Sequence, residues 1–231
     1  MLPERSLRLT ASGPRERHDV RVGVRQTVIA GWTGRDAAAV EQHIRELEEL
    51  GVARPPSIPT FYRVSTSRLT TDPVIEVSGE QSSGEVEFVL VQCEGQLYVG
   101  VGSDHTDRGV ETYSVDVSKQ MCDKPIATEV WRFAEVGEHW DSLLLRSWAG
   151  AGPDRVLYQE GSVSAMRTPA DLIQRFAGCA TLPEGTVMFC GTLAALGGIR
   201  PAQRFEIEIE DPVRGQRIHH VYDVVSLPAA G

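Results

Sequence analysis

The chain has 231 residues, 41% hydrophobic and 24% charged, with a formal net charge of −9. That length suits one large domain carrying a small extension, and the acidic balance argues against nucleic acid and anionic lipid as partners, since both need clustered Lys and Arg. No apolar run approaches the roughly 20 residues of a membrane span, and the opening Met1-Leu2-Pro3-Glu4-Arg5 carries no leader pattern, so a cytoplasmic protein is expected.

Leu7 and Leu9, then Val20, Val22 and Val24, then Val28 to Trp32 alternate or cluster as short strands do, broken by Ser12-Gly13-Pro14. They predict an N-terminal β meander over 1–32, with the main domain at 33–231. Thr33-Gly34-Arg35-Asp36 predicts a helix start capped by Thr33, because a hydroxyl three residues before an acid can satisfy free amides. The helix runs to Leu50 before Gly51, with Val40, Ile44 and Leu47 inward and His43 beside Glu46 one turn on. Three prolines in 54–59 bar helix and central strand there, and Phe61 to Val64 reads as a strand. Strands follow at 85–91 and 97–101, joined by a turn at Glu94-Gly95-Gln96. The spacing of Ile126, Val130, Phe133 and Ala134 predicts a helix ending at Gly137. Trp140 to Trp148 and Arg155 to Gln159 predict a hairpin, Thr168-Pro169 a helix start, and Pro183-Glu184-Gly185 a turn into the strand from Thr186 to Cys190. Phe205 to Ile209 and Ile218 to Val225 complete an α+β, predominantly β, chain. Cys93, Cys122, Cys179 and Cys190 have no paired spacing and read as reduced and buried.

The chemistry concentrates at Gly84-Glu85-Val86-Glu87-Phe88-Val89. Strand residues two apart share a face, about 6.6–6.8 Å apart, so the two carboxylates can converge on one hard cation. Val89 and Val91 continue the same face, which carries the acids toward the interior, where a carboxylate needs a partner. The polar loop Gly102-Ser103-Asp104-His105-Thr106-Asp107-Arg108 offers a third carboxylate, and His105 and Asp107 are open either to ligation or to turn formation. Glu206-Ile207-Glu208-Ile209-Glu210 has the same alternation and reads as the solvated face of an amphipathic strand. On its helix, His43 with Glu46 is either a surface pair or a base whose tautomer the glutamate fixes. Gly191-Thr192 either brings an amide and a hydroxyl into a site or ends its strand. Trp131, Trp140 and Trp148 read as packing residues, and His219-His220 as structural.

Taken in order, these segments resemble the fumarylacetoacetate hydrolase family over roughly residues 33–225. The resemblance rests on His43-Ile44-Arg45-Glu46, on Pro59-Thr60-Phe61-Tyr62-Arg63, and on Glu85-Val86-Glu87. It continues through Asp104-His105-Thr106-Asp107-Arg108, Lys119 with Asp123, Tyr158-Gln159-Glu160-Gly161, and Gly185 to Thr192. The chain departs from the family pattern with Arg63 in place of Lys, Gly109 and Thr186 in place of Asp, and a shorter stretch between Asp104 and Lys119.

The resemblance implies a mixed β-roll with short N-terminal strands and a lid helix, assembled as a homodimer. It implies Mg²⁺ or Mn²⁺, with Ca²⁺ as a further candidate, held by Glu85, Glu87 and Asp104. His43, Glu46 and Lys119 would be catalytic, and Arg63, Arg108, Gln159 and Thr192 would bind a small 2-oxo or β-dicarbonyl acid. The implied reaction is hydrolysis of a carbon–carbon bond in a 2,4-dioxo acid-like substrate through a metal-bound enolate. Decarboxylation, dehydration or tautomerisation of a 2-oxo acid is the alternative, and a non-catalytic binding protein a third.

Overall fold

A computed structural model describes residues 5–13, 16–49 and 54–228; the side chains of His43, Glu46 and Leu47, and the expected helix stop at Leu50 and Gly51, lie outside that description. The fold is α+β and mainly β. One eight-stranded sheet runs in the order Arg17–Val24, Arg5–Ser12, Glu129–Arg132, Gln96–Ser103, Val86–Cys93, Thr186–Thr192, Gln26–Gly31 and Thr60–Val64. A five-stranded sheet runs Val156–Ser162, Leu144–Ala149, Arg204–Asp211, Gln216–Leu227 and Val74–Ser78. Two short pairs, Ser82–Ser83 with Thr106–Asp107 and Leu69–Thr70 with Lys124–Pro125, tie loops to this frame. Among the described residues, no helix is long and apolar enough to cross a membrane.

Val86–Cys93 is the strand that sets the site, and every one of its residues is buried. On one face Val86, Phe88 and Leu90 share a core with Leu145, Ile207 and Ile209 of the five-stranded sheet. On the other, Val89 and Val91 share a core with Leu9, Val22 and Phe189. The N-terminal strands form that second core because their alternation puts Val20, Val22 and Val24 inward and Arg17, Asp19 and Arg21 outward. A strand covered on both sides carries any acid at its start into the interior.

Several expectations change. Residues 129–132 form a strand, and only Phe133–Val136 is helical. Val130 and Trp131 are both buried, on opposite faces of a strand flanked on either side, and the apolar spacing imitated a helix by coincidence. The helix Ala37–Glu49 forms as expected, but Asp36 caps it, its Oδ1 accepting the amides of Ala38 and Ala39 at 2.9 and 3.1 Å. Thr33 is instead buried, and its carbonyl accepts the Arg167 amide. Trp140 precedes the hairpin, in the turn Gly137–Ser142, with its ring edge-on to Phe88 at 4.9 Å. Cys179 is exposed, whereas the other three cysteines are buried. The Glu206–Glu210 face is no bare solvated edge: Glu208 is buried, and Arg146 of the neighbouring strand and Arg155, just before Val156–Ser162, lie against it.

Candidate metal centre

Antiparallel pairing builds the site. Val86 lies opposite Ser103 and Glu87 opposite Gly102, so the chain leaving Ser103 meets the chain entering at Glu85. The Asp104 amide donates to the Glu85 carbonyl at 3.0 Å, and the Glu85 amide donates to Ser103 Oγ at 3.1 Å. Gly102 is required opposite Glu87, since a Cβ there would come within 2.6 Å of the Phe189 ring and 2.8 Å of Val89. Glu85, Glu87 and Asp104 each offer a carboxylate oxygen, and these atoms all lie within 4.8 Å of one another.

The cations around this cluster are arranged unevenly. Asp104 is fully buried, bonded by Lys119 Nζ and paired with Lys124 Nζ at 3.0 Å. Burial would raise its carboxyl, but the two ammonium groups outweigh burial and hold it below the usual range. Burial would discharge Lys119, yet Asp104 and Glu85 outweigh that and keep it protonated. Arg108 lies 3.2 Å from Glu85, donates to Glu111 at 2.8 Å and to Ser83 Oγ at 2.7 Å. Glu87 is treated differently. It is 2% exposed, and its hydrogen bond comes from the Gly191 amide at 2.7 Å rather than from a cationic side chain. Burial, then Asp104 and Glu85, push its carboxyl well above the ordinary range.

That imbalance is what a divalent cation would relieve. All three donors are hard oxygens, which suits Mg²⁺, Mn²⁺ or Ca²⁺ over softer ions, and each carboxylate oxygen bound to a lysine keeps a lone pair for a second partner. The residues therefore fit a divalent cation.

The other sequence-derived positions divide. Lys119 and Arg108 join the cluster. Gln159 and Thr192 lie against its strand, their hydrogen bonds going to Val86, the residue between the two acids. Arg63 is exposed on the edge strand Thr60–Val64, and among the described residues it makes no ion pair with the three acids. His43 and Glu46 lie on the helix Ala37–Glu49, with side chains outside the described structure. Asp123 turns away to Arg68 at 3.3 Å. His105 points into the core, its ring nitrogens 3.1 Å from Tyr222 Oη and 2.9 Å from Ser82 Oγ. Asp107 caps the short helix Arg108–Glu111. Lys124 carries no sign in the sequence: a lysine between Asp123 and Pro125 reads as loop, and only its pairing with Leu69–Thr70 turns it inward.

The fold defines a class. The solved 2-keto-3-deoxy-D-arabinonate dehydratase complexed with magnesium and 2,5-dioxopentanoate superposes with a TM-score of 0.60 at 15% identity, covering 91% of this chain and 77% of that one. Fumarylacetoacetate hydrolase from psychrophilic Exiguobacterium antarcticum gives 0.57 at 16%, covering 92% and 81%. The 4-oxalocrotonate decarboxylase from Pseudomonas putida G7, complexed with calcium and acetate, gives 0.52 at 14%, covering 86% and 77%. The protein thus has the fumarylacetoacetate hydrolase fold. No curated protein matches the chain. Residues 30–222 match the family described as "Protein of unknown function (DUF2848)", and the chain belongs to that family, a divergent branch on this fold.

Proposed function

We propose that the protein is a divalent-metal-dependent enzyme acting on a small 2-oxo or β-dicarbonyl acid, and that it hydrolyses a carbon–carbon bond. The observation that carries this reading is the convergence of Glu85, Glu87 and Asp104, with Glu87 buried and hydrogen-bonded by the Gly191 amide. When bound there, the cation would supply Lewis-acid polarisation of substrate oxygens. Glu85, Glu87 and Asp104 hold it. Lys119, kept charged by Asp104 and Glu85, would stabilise negative charge developing on the substrate. Arg108 restrains Glu85 and offers its guanidinium to a substrate carboxylate. In this reading His43, with Glu46, would be the base for water.

A second reading, decarboxylation or dehydration of a 2-oxo acid, is favoured by the likeness to a dehydratase and a decarboxylase of the same fold. It needs the same carboxylates and Lys119 but no water-activating base. Incubation with 2,4-dioxo acids and oxaloacetate-like acids under Mg²⁺ or Mn²⁺, followed by enol absorbance, tests both. Hydrolysis expects turnover that His43→Ala abolishes; turnover surviving in that variant selects the second reading. Absence of metal-dependent turnover on every such acid would refute both.

A further inference from the structure

Val86 separates the two acids of the strand, and both of its peptide groups are held by side chains rather than by the sheet alone. Its amide donates to Gln159 Oε1 at 2.9 Å, and its carbonyl accepts from Thr192 Oγ1 at 2.8 Å. Gln159 Nε2 in turn donates to Thr192 Oγ1 at 2.8 Å and to the Leu193 carbonyl at 2.6 Å, while Ser147 Oγ donates to Gln159 Oε1 at 3.0 Å. A carboxamide has two donor hydrogens and two acceptor lone pairs, so Gln159 is fully engaged, and it is buried.

A bulge supplies the other half of the arrangement. The register between Thr186–Thr192 and Val86–Cys93 shifts between Phe189 and Thr192, putting Thr192 opposite Glu87. Gly191 stands in the bulge at φ +99°, and a Cβ there would fall 1.7 Å from Thr33 Oγ1, so only glycine fits. The bulge therefore delivers two groups at once: the Gly191 amide to Glu87 Oε2 and the Thr192 hydroxyl to the Val86 carbonyl.

We propose that Gln159, Thr192 and Ser147 form a clamp on the Val86 peptide that sets the spread of the Glu85 and Glu87 carboxylates, making them positioning residues for the cation rather than substrate contacts. This rests on the metal reading above. Orientation of ligands by hydrogen-bonded neighbours is a general determinant of metal affinity, and neighbour loss commonly weakens binding by about 10–100-fold.

The test is calorimetric titration of Mn²⁺ into the full chain, followed by titration of oxalate into the Mn²⁺-saturated protein. Thr192→Val keeps the shape and removes the hydroxyl; it is expected to weaken Mn²⁺ binding about tenfold and leave oxalate affinity unchanged. Thr192→Ser restores the hydroxyl and should return Mn²⁺ affinity to within about twofold of wild type. Ser147→Ala, whose hydroxyl reaches Gln159 and none of the three acids, should weaken Mn²⁺ about threefold, and it decides the matter if Thr192→Val does not fold. Unchanged Mn²⁺ affinity in the folded variants, or weakened oxalate with Mn²⁺ unaffected, overturns the clamp while leaving the metal site standing. A wild-type protein that binds no Mn²⁺ overturns the metal reading itself, and the clamp with it.

Discussion

Lys124 Nζ lies 3.0 Å from Asp104 Oδ1, and both side chains are sealed from solvent. The lysine also donates to the His105 carbonyl, so one ammonium fixes the carboxylate and the turn that carries it. Removing one partner of a buried pair strands the other charge, typically at about 3–5 kcal/mol. Lys124→Met is therefore expected to lose about 3 kcal/mol or more in urea unfolding. A loss below about 0.5 kcal/mol would show that Lys119 alone suffices as the counter-ion.

The two buried acids respond oppositely to neutralisation. Among the described residues no cationic side chain is hydrogen-bonded to Glu87, so in metal-free protein Glu87→Gln removes a poorly compensated group and keeps an acceptor for the Gly191 amide. Its stability without metal should match or exceed wild type. Asp104→Asn leaves Lys119 and Lys124 facing a neutral amide and should cost about 3 kcal/mol or more. Thermal melts of the two variants in chelator compare them directly. Equal losses would mean that charge balance at the two acids is alike.

His105 links folding to protons. Burial first, then Lys124 and Arg108, push its imidazole down to about 3, from an ordinary value of 6.5. The unfolded chain takes up a proton near its ordinary value, while the folded chain does not. Stability present above that pH is thus lost as pH falls toward 3, at about 1.4 kcal/mol per unit for this single group. His105→Gln should flatten the pH dependence of unfolding free energy between about pH 6.5 and 5. Parallel slopes for the two proteins would assign the proton uptake to other groups.

Most strands could be read from the sequence because their alternation matched one-sided burial, as in Val20, Val22 and Val24. The strand Glu129–Arg132 could not: with neighbours on both edges and burial on both faces, it loses the period-two signature. The acidic runs at Glu85 and Glu206 share their alternation; the first continues inward through Val89 and Val91, and the two also differ in what lies opposite. Register puts Arg146 beside Glu208, whereas Gly102, which has no side chain to offer, lies beside Glu87. Asp104 could be placed as a third carboxylate because a hairpin returns to its start. Lys124 gave no such sign, since its inward turn depends on a two-residue parallel pair with Leu69–Thr70. The engagement of Gln159 with Val86 spans 73 positions, which no local pattern encodes.

Titration of Mn²⁺ into the purified chain, beside a Glu85→Gln/Glu87→Gln double variant, addresses the acidic centre most directly. One saturable site per chain in wild type, absent from the double variant, is the expected outcome. Saturable binding that survives intact in the double variant, or none in wild type, would contradict a cation site at Glu85, Glu87 and Asp104.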